Sequence, residues 1–166
     1  MSTIARAFFH TLAILGALAM PSLACSSTDG LREDRMHVTA APATLEIGTA
    51  PAGRLVLHLD DVRLAEGQAA TFRVFVNRPD ATAATPIDQQ GFVQELYLMP
   101  TRSRPSAPGA RQPGQNLALP LPAGLVQAGE RITVTLVPVG ADAEGRLNQP
   151  GTIDITLKRP YVTAER

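Results

Sequence analysis

Apolar residues fall at every second position in several short runs of this chain, and the fullest is Thr71–Asn77, TFRVFVN. There Phe72, Val74 and Val76 alternate with Thr71, Arg73 and Phe75, the period of a strand with one buried face. Its aromatic and β-branched content agrees with the period. The run stops at Asn77-Arg78-Pro79-Asp80, where proline withholds a ladder donor and Asn and Asp favour a turn. This stretch is expected to be a central strand.

Weaker copies of the pattern lie on both sides. Leu45 and Ile47 alternate up to Gly48. In Arg54–Asp60, Leu55, Leu57 and Leu59 oppose Val56 and His58; Asp60-Asp61 closes the run, with Val62–Leu64 as a resumption. Gly91–Met99 sets Phe92, Leu96 and Leu98 on one side and Val93, Tyr97 and Met99 on the other. Leu117, Leu119 and Leu121 alternate around Pro120, which marks an edge strand. Arg131–Val139 and Ile153–Leu157 complete the set. Seven or eight short strands, turn signals between them and no amphipathic helix predict an all-β fold, an antiparallel β-sandwich of Ig-like or jelly-roll-like type. The segment between Met99 and Leu117 is rich in Pro, Gly and Arg and is expected to be a long loop.

The chain's start reads differently. Arg6 precedes a short apolar run over Ala7–Met20, and Ser22-Leu23-Ala24 supplies small residues where a signal peptidase cuts. Residues 1–24 are therefore expected to be a signal peptide, 25–43 a flexible tether and 44–163 the sandwich. The single cysteine, Cys25, directly follows the expected cut, and Leu23-Ala24-Cys25 resembles the end of a bacterial lipobox. Two readings of Cys25 stand. A lipidated cysteine anchors the domain to a membrane, in the periplasm or at the outer membrane; ordinary cleavage leaves a secreted protein with a free thiol. One cysteine closes no disulfide within the chain, so the fold must rest on its apolar core.

Charge narrows the partners. Fifteen basic and fifteen acidic residues give no net charge and no basic stripe, which argues against nucleic acid. There is no Trp and little other aromatic content, so the core must be mainly Leu, Val and Ile around Phe72, Phe75 and Phe92. No nucleophile elbow, phosphate-cradling glycine loop, HExxH or CxxC occurs, so the chain is expected not to be an enzyme. Asp60 and Asp61 do not converge unless a bulge turns one of them, because adjacent strand residues point to opposite faces. Met and His ligate copper, which makes His58 and Met99 the candidate metal ligands; the plainer reading is a half-exposed strand histidine and a core methionine. Tyr97, Met99, Arg102 and Arg104 are the candidate partner-facing residues.

Two stretches together resemble a known module. TFRVFVN is similar to the KFDVFVN-type signature of the C-terminal domain of plant-type polyphenol oxidases, which are type 3 copper enzymes; Thr71 and Arg73 stand where that signature has Lys and Asp. Ile132–Pro138 (ITVTLVP) followed by Gly140 resembles the VLVTLVP-plus-glycine run near that domain's end, and Ile153–Leu157 fits its closing strand. The order agrees over Leu55–Leu157. The segment matching Gly91–Pro100 departs, keeping Phe92 and Pro100 but lacking a Gly-Ser step and a histidine. The resemblance implies a β-sandwich that covers the entrance of a di-copper site. The di-copper domain itself, with its six histidine ligands, has no counterpart in a chain with His37 and His58 beyond the leader. The implied role is shielding, or assisting maturation of, a separately encoded type 3 copper phenol oxidase. An envelope lipoprotein that binds another component and has no link to copper is the alternative, and a small copper carrier a third.

Overall fold

Alternation gives each strand one apolar side, and two sheets close on those sides. The computed structural model describes residues 35–99 and 114–165. In chain order its strands are β1 (Arg35–Val38), β2 (Ala43–Thr49), β3 (Arg54–Leu64), β4 (Ala70–Val76), β5 (Phe92–Leu98), β6 (Gln115–Pro120), β7 (Arg131–Gly140), β8 (Gln149–Pro150), β9 (Ile155–Lys158) and β10 (Tyr161–Glu165). One sheet runs β1-β9-β3-β10 with β6 also on β3; the other runs β2-β7-β4-β5 with β8 on β7. Every pairing is antiparallel. The fold is an all-β sandwich. The signal peptide expected over 1–24, Cys25, Arg102 and Arg104 lie outside the described residues.

Leu57 and Leu59 of β3, Phe72, Val74 and Val76 of β4, Val134 and Leu136 of β7, and Ile155 and Leu157 of β9 are all fully buried in one core between the sheets. Each such side chain contributes about 1.5–3 kcal/mol by leaving water, so this aliphatic layer supports the fold without a disulfide. β4 is central in its sheet, as expected, with β7 on one side and β5 on the other. The expectation of one buried face is overturned. Thr71, Arg73 and Phe75, on the side away from the main core, are also buried. Phe75 belongs to a second cluster with Ala81, Ala83, Val137 and Val139, with Phe92 and Leu147 packed against it.

Near both of their ends the described residues hold more strand than composition suggests. The tether expected over 25–43 gives way to β1, whose Met36 and Val38 pack on the core and whose four residues pair with β9. β10 pairs with β3 from Tyr161↔His58 to Glu165↔Arg54. Neither strand is apolar enough to be recognised alone; each exists because β9 or β3 presents an open edge.

Nor do Asp60 and Asp61 end β3, which continues to Leu64 through an irregularity between Leu59 and Val62 in its pairing with β6. Asp61 takes the left-handed conformation at φ 51°, which an aspartate tolerates better than most side chains. Its backbone N–H donates to Asn116 Oδ1 at 2.8 Å, and its carboxylate accepts from Arg63 Nε at 2.8 Å and Nη2 at 3.0 Å. Arg35 of β1 donates to the same carboxylate, so the bulge pins the first described strand to the third. A side chain at Gly114 would collide with Asp61, so the approach of β6 requires a glycine there.

The hydrogen bonds from Arg63 pull the Asp61 carboxyl from 3.8 down to about 2, against an upward push from burial and with further lowering by Arg35. A folded-state value below the unfolded one means stability that is present above the unfolded value and lost as pH falls through the folded one. Unfolding midpoints measured in urea should therefore drop between pH 3.8 and about 2, and Asp61→Asn should flatten that part of the profile. At pH 7 the same substitution should cost about 1–3 kcal/mol, since two arginines lose their anionic acceptor.

Candidate functional site

The candidate surface is the outward side of β4 and β5, and its construction starts from a bulge. In the pairing of β4 with β5, Val74 opposes Gln94 while Phe75 opposes Phe92, so Val93 is the extra residue. The alternation therefore resets. Val93 joins Leu96 and Leu98 on the core, and Phe92 moves to the outward side. The expected grouping of Phe92 with Leu96 and Leu98 is corrected for that reason. Phe92 meets Phe75 edge to face, with ring centroids 5.6 Å apart and planes at 65°.

Beside that pair lies Arg73, buried on β4. Its Nε donates to Glu95 Oε2 at 2.8 Å from the opposing position on β5, and its Nη1 donates to the carbonyl of Ala83 at 2.8 Å and of Thr85 at 3.3 Å. Its Nη2 donates to the carbonyl of Leu147. A desolvated guanidinium is tolerable only when its donors are met, and here two loops remote in sequence meet them. Arg73 thus staples the segments around Ala83 and Leu147 over the outward side of the sheet. Sequence reasoning missed this arrangement; the signal available was an arginine inside an otherwise apolar strand.

Tyr97 stands next along the same side, opposite Thr71, and 64% of it is exposed. Met99, just past the strand, is 58% exposed, and Ile87, on the loop that crosses this side, is 54% exposed. Tyr97 is open to solvent, and Met99 is not the core methionine of the plainer expectation. Strand alternation delivers them to solvent because Leu96 and Leu98 take the inward positions.

At the end of β4, Asn77 adopts φ 54° and turns the chain. Its N–H donates to the carbonyl of Thr133 and its Oδ1 accepts from the N–H of Thr133, both at 2.9 Å, while Nδ2 donates to Glu130 Oε1 at 2.9 Å. Val76, Asn77, Arg78, Gln90, Gly91, Leu125 and Glu130 line a shallow cleft of about 230 Å³. Arg78 is engaged by Asp80 and by Gln89 and Gln90, so the cleft presents groups already partnered.

His58 belongs to the other sheet. It stacks on Tyr161 at 4.7 Å with planes 8° apart, and its Nε2 lies 2.8 Å from Thr163 Oγ1. The Tyr161 hydroxyl donates to Asp60 Oδ2 at 3.1 Å, and that bond raises the phenol's pKa. The two adjacent carboxylates therefore serve different partners, Tyr161 for Asp60 and the two arginines for Asp61. His58 alternates with the inward Leu57 and Leu59, whereas Met99 follows a strand of the opposite sheet, so the candidate copper pair is not brought together. His37 is engaged by Asp154 Oδ1 at 2.7 Å. Among the described residues, no group of three or more His, Cys, Asp or Glu is placed to hold a metal ion.

No protein-family model and no curated protein sequence matches the chain. Solved structures similar to it include recombinantly expressed latent aurone synthase (polyphenol oxidase), at TM-score 0.49 and 19% identity over 74% of this chain and 23% of that one. Latent aurone synthase from a natural source covers the same shares at TM-score 0.46 and 15% identity. The recombinant protein co-crystallised with hexatungstotellurate(VI) does so at TM-score 0.47 and 17% identity. The chain spans 23% of the length of these structures.

Arg73→Ala should destabilise the fold by about 3–5 kcal/mol, because it orphans a carboxylate and three carbonyls at once. Arg73→Lys should recover only part of that, since an ammonium lacks the planar fork that reaches both loops. Denaturant midpoints report the loss. A midpoint unchanged in Arg73→Ala would show that the two loops stay in place without the guanidinium.

Proposed function

We propose that this chain is a non-catalytic, exported sandwich related to the C-terminal domain of polyphenol oxidases, acting in trans on a separately encoded type 3 copper phenol oxidase as a shield or maturation partner. The observation that carries the reading is the pairing of the two stretches that resemble that domain. TFRVFVN and ITVTLVP, far apart in sequence, lie side by side as β4 and β7, in register from Phe72↔Pro138 to Val76↔Val134. The resemblance therefore follows one contiguous ladder at the centre of one sheet.

The engagement of His37 by Asp154 and of His58 by Thr163 favours a role without copper chemistry of the chain's own. The outward side of β5 is the surface offered to the partner, with Tyr97 as its aromatic anchor and Met99 beside it. Arg102 and Arg104 follow Met99 closely in sequence and are the candidate cations for that partner. Aromatic and arginine side chains dominate stable interfaces, which bury about 1,200–2,000 Å². Lipid on Cys25 would hold the assembly at the membrane.

The full chain, used as bait in an extract of its native envelope, should recover a copper-dependent phenol oxidase at near-stoichiometric yield. A bait that starts after Val38 would lack β1 and leave the edge of β9 open, so the strand must be kept. Tyr97→Ala should weaken inhibition of the recovered oxidase roughly tenfold or more, the loss typical of a central aromatic anchor. Recovery of other envelope proteins alone would replace the proposal with an envelope binding module unrelated to copper.

A further inference from the structure

Sheet edges present unpaired N–H and C=O groups, and proteins ordinarily blunt them with proline, charge, bulges or short strands. Among the described residues most edges here are treated that way. β6 carries Pro120 and β8 carries Pro150. β1 has four residues and is pinned by the Arg35–Asp61 and His37–Asp154 pairs. β2 has a bulge between Glu46 and Gly48, and Arg159 donates to the carbonyl of Glu46 at 3.0 Å. β5 and the five-residue β10 are less guarded. Beyond its bulge at Val93, β5 pairs from Gln94 to Leu98 without irregularity to β4 alone, holds no Pro, Lys or Arg, and presents Tyr97 at its exposed side.

We propose that β5 pairs antiparallel with β5 of a second copy of this chain, about a two-fold axis at Leu96. Directly opposed residues share a face, so this register sets Tyr97 against Glu95 of the second copy, and by symmetry does so twice. The two groups are complementary. Glu95 gives Oε2 to Arg73, and among the described residues its Oε1 takes no hydrogen bond and the Tyr97 hydroxyl gives none. Arg73, fixed by three carbonyls, holds Glu95 in place to receive a phenol donor. Moving the axis to Glu95 would oppose two carboxylates, which repel, and moving it to Tyr97 would leave both Glu95 groups unmatched. The β2-β7-β4-β5 sheet then runs on into that of its copy. One strand edge buries less than about 1,200 Å², so the pair exchanges reversibly.

The inference uses this chain alone and stands independently of the shielding role. Sedimentation of the full chain, purified from the cell that makes it, should show a concentration-dependent dimer. Tyr97→Glu places carboxylate against carboxylate and should weaken association at least tenfold. Tyr97→Lys places an ammonium against Glu95 of the second copy and should keep or strengthen it, with the gain removed by high salt. Equal losses in both variants would mean that apolar contact rather than this register holds the pair, and would overturn the proposal. So would a wild-type chain that stays monomeric to about 1 mM, the concentration at which even a weak specific contact is half formed.

Discussion

The guanidinium of Arg73 is the interaction on which the outer layer of this sandwich depends. A cation taken out of water costs several kcal/mol unless its donors are met. Glu95 meets one, and the carbonyls of Ala83, Thr85 and Leu147 meet the others. The loops that carry those carbonyls are thereby fixed against β4, and the small cluster around Phe75 and Phe92 closes beneath them. A strand that alternation would leave half wet becomes buried on both sides. The same residue orders Glu95, and so shapes the part of β5 that stays exposed.

A second constraint acts through bulges. The extra residue Val93 reverses the sides of Phe92 and Val93, which lets the aromatic pair close under the loops while Val93 fills the core. The irregularity after Leu59 turns Asp61 toward Arg63 and Arg35, and so ties β1 to β3. In both places one unpaired residue redirects a side chain that the period-2 rule sends elsewhere. The result is a scaffold whose inner layer is aliphatic and whose outer layer is organised by three arginines.

Most of the inner layer was legible in the residue pattern. Leu57, Leu59, Phe72, Val74, Val134, Leu136, Ile155 and Leu157 are buried where alternation puts them, because a two-residue period on an aliphatic run admits only one inward side. Pro120 marked β6 as an edge for an equally local reason: it has no N–H to offer a second neighbour. The candidate site was legible only in part. Tyr97 and Met99 were recognisable as sharing the side opposite Leu96 and Leu98, yet their exposure depended on which loops would cover that side.

What the sequence determined by itself, then, is the class of fold, the strands with strong alternation and the aliphatic core, since these follow from propensity and period within a few residues. Tertiary structure decided the rest. β1 and β10 form only against edges supplied by distant strands. The bulges at Val93 and Asp61 arise from the registers of whole ladders, and the burial of Arg73 from loops ten and more than seventy residues away. The same packing set His58 and Met99 on different sheets and left Tyr97 in the open. Each of these outcomes is a long-range contact, and a short window of sequence carries no record of its partner.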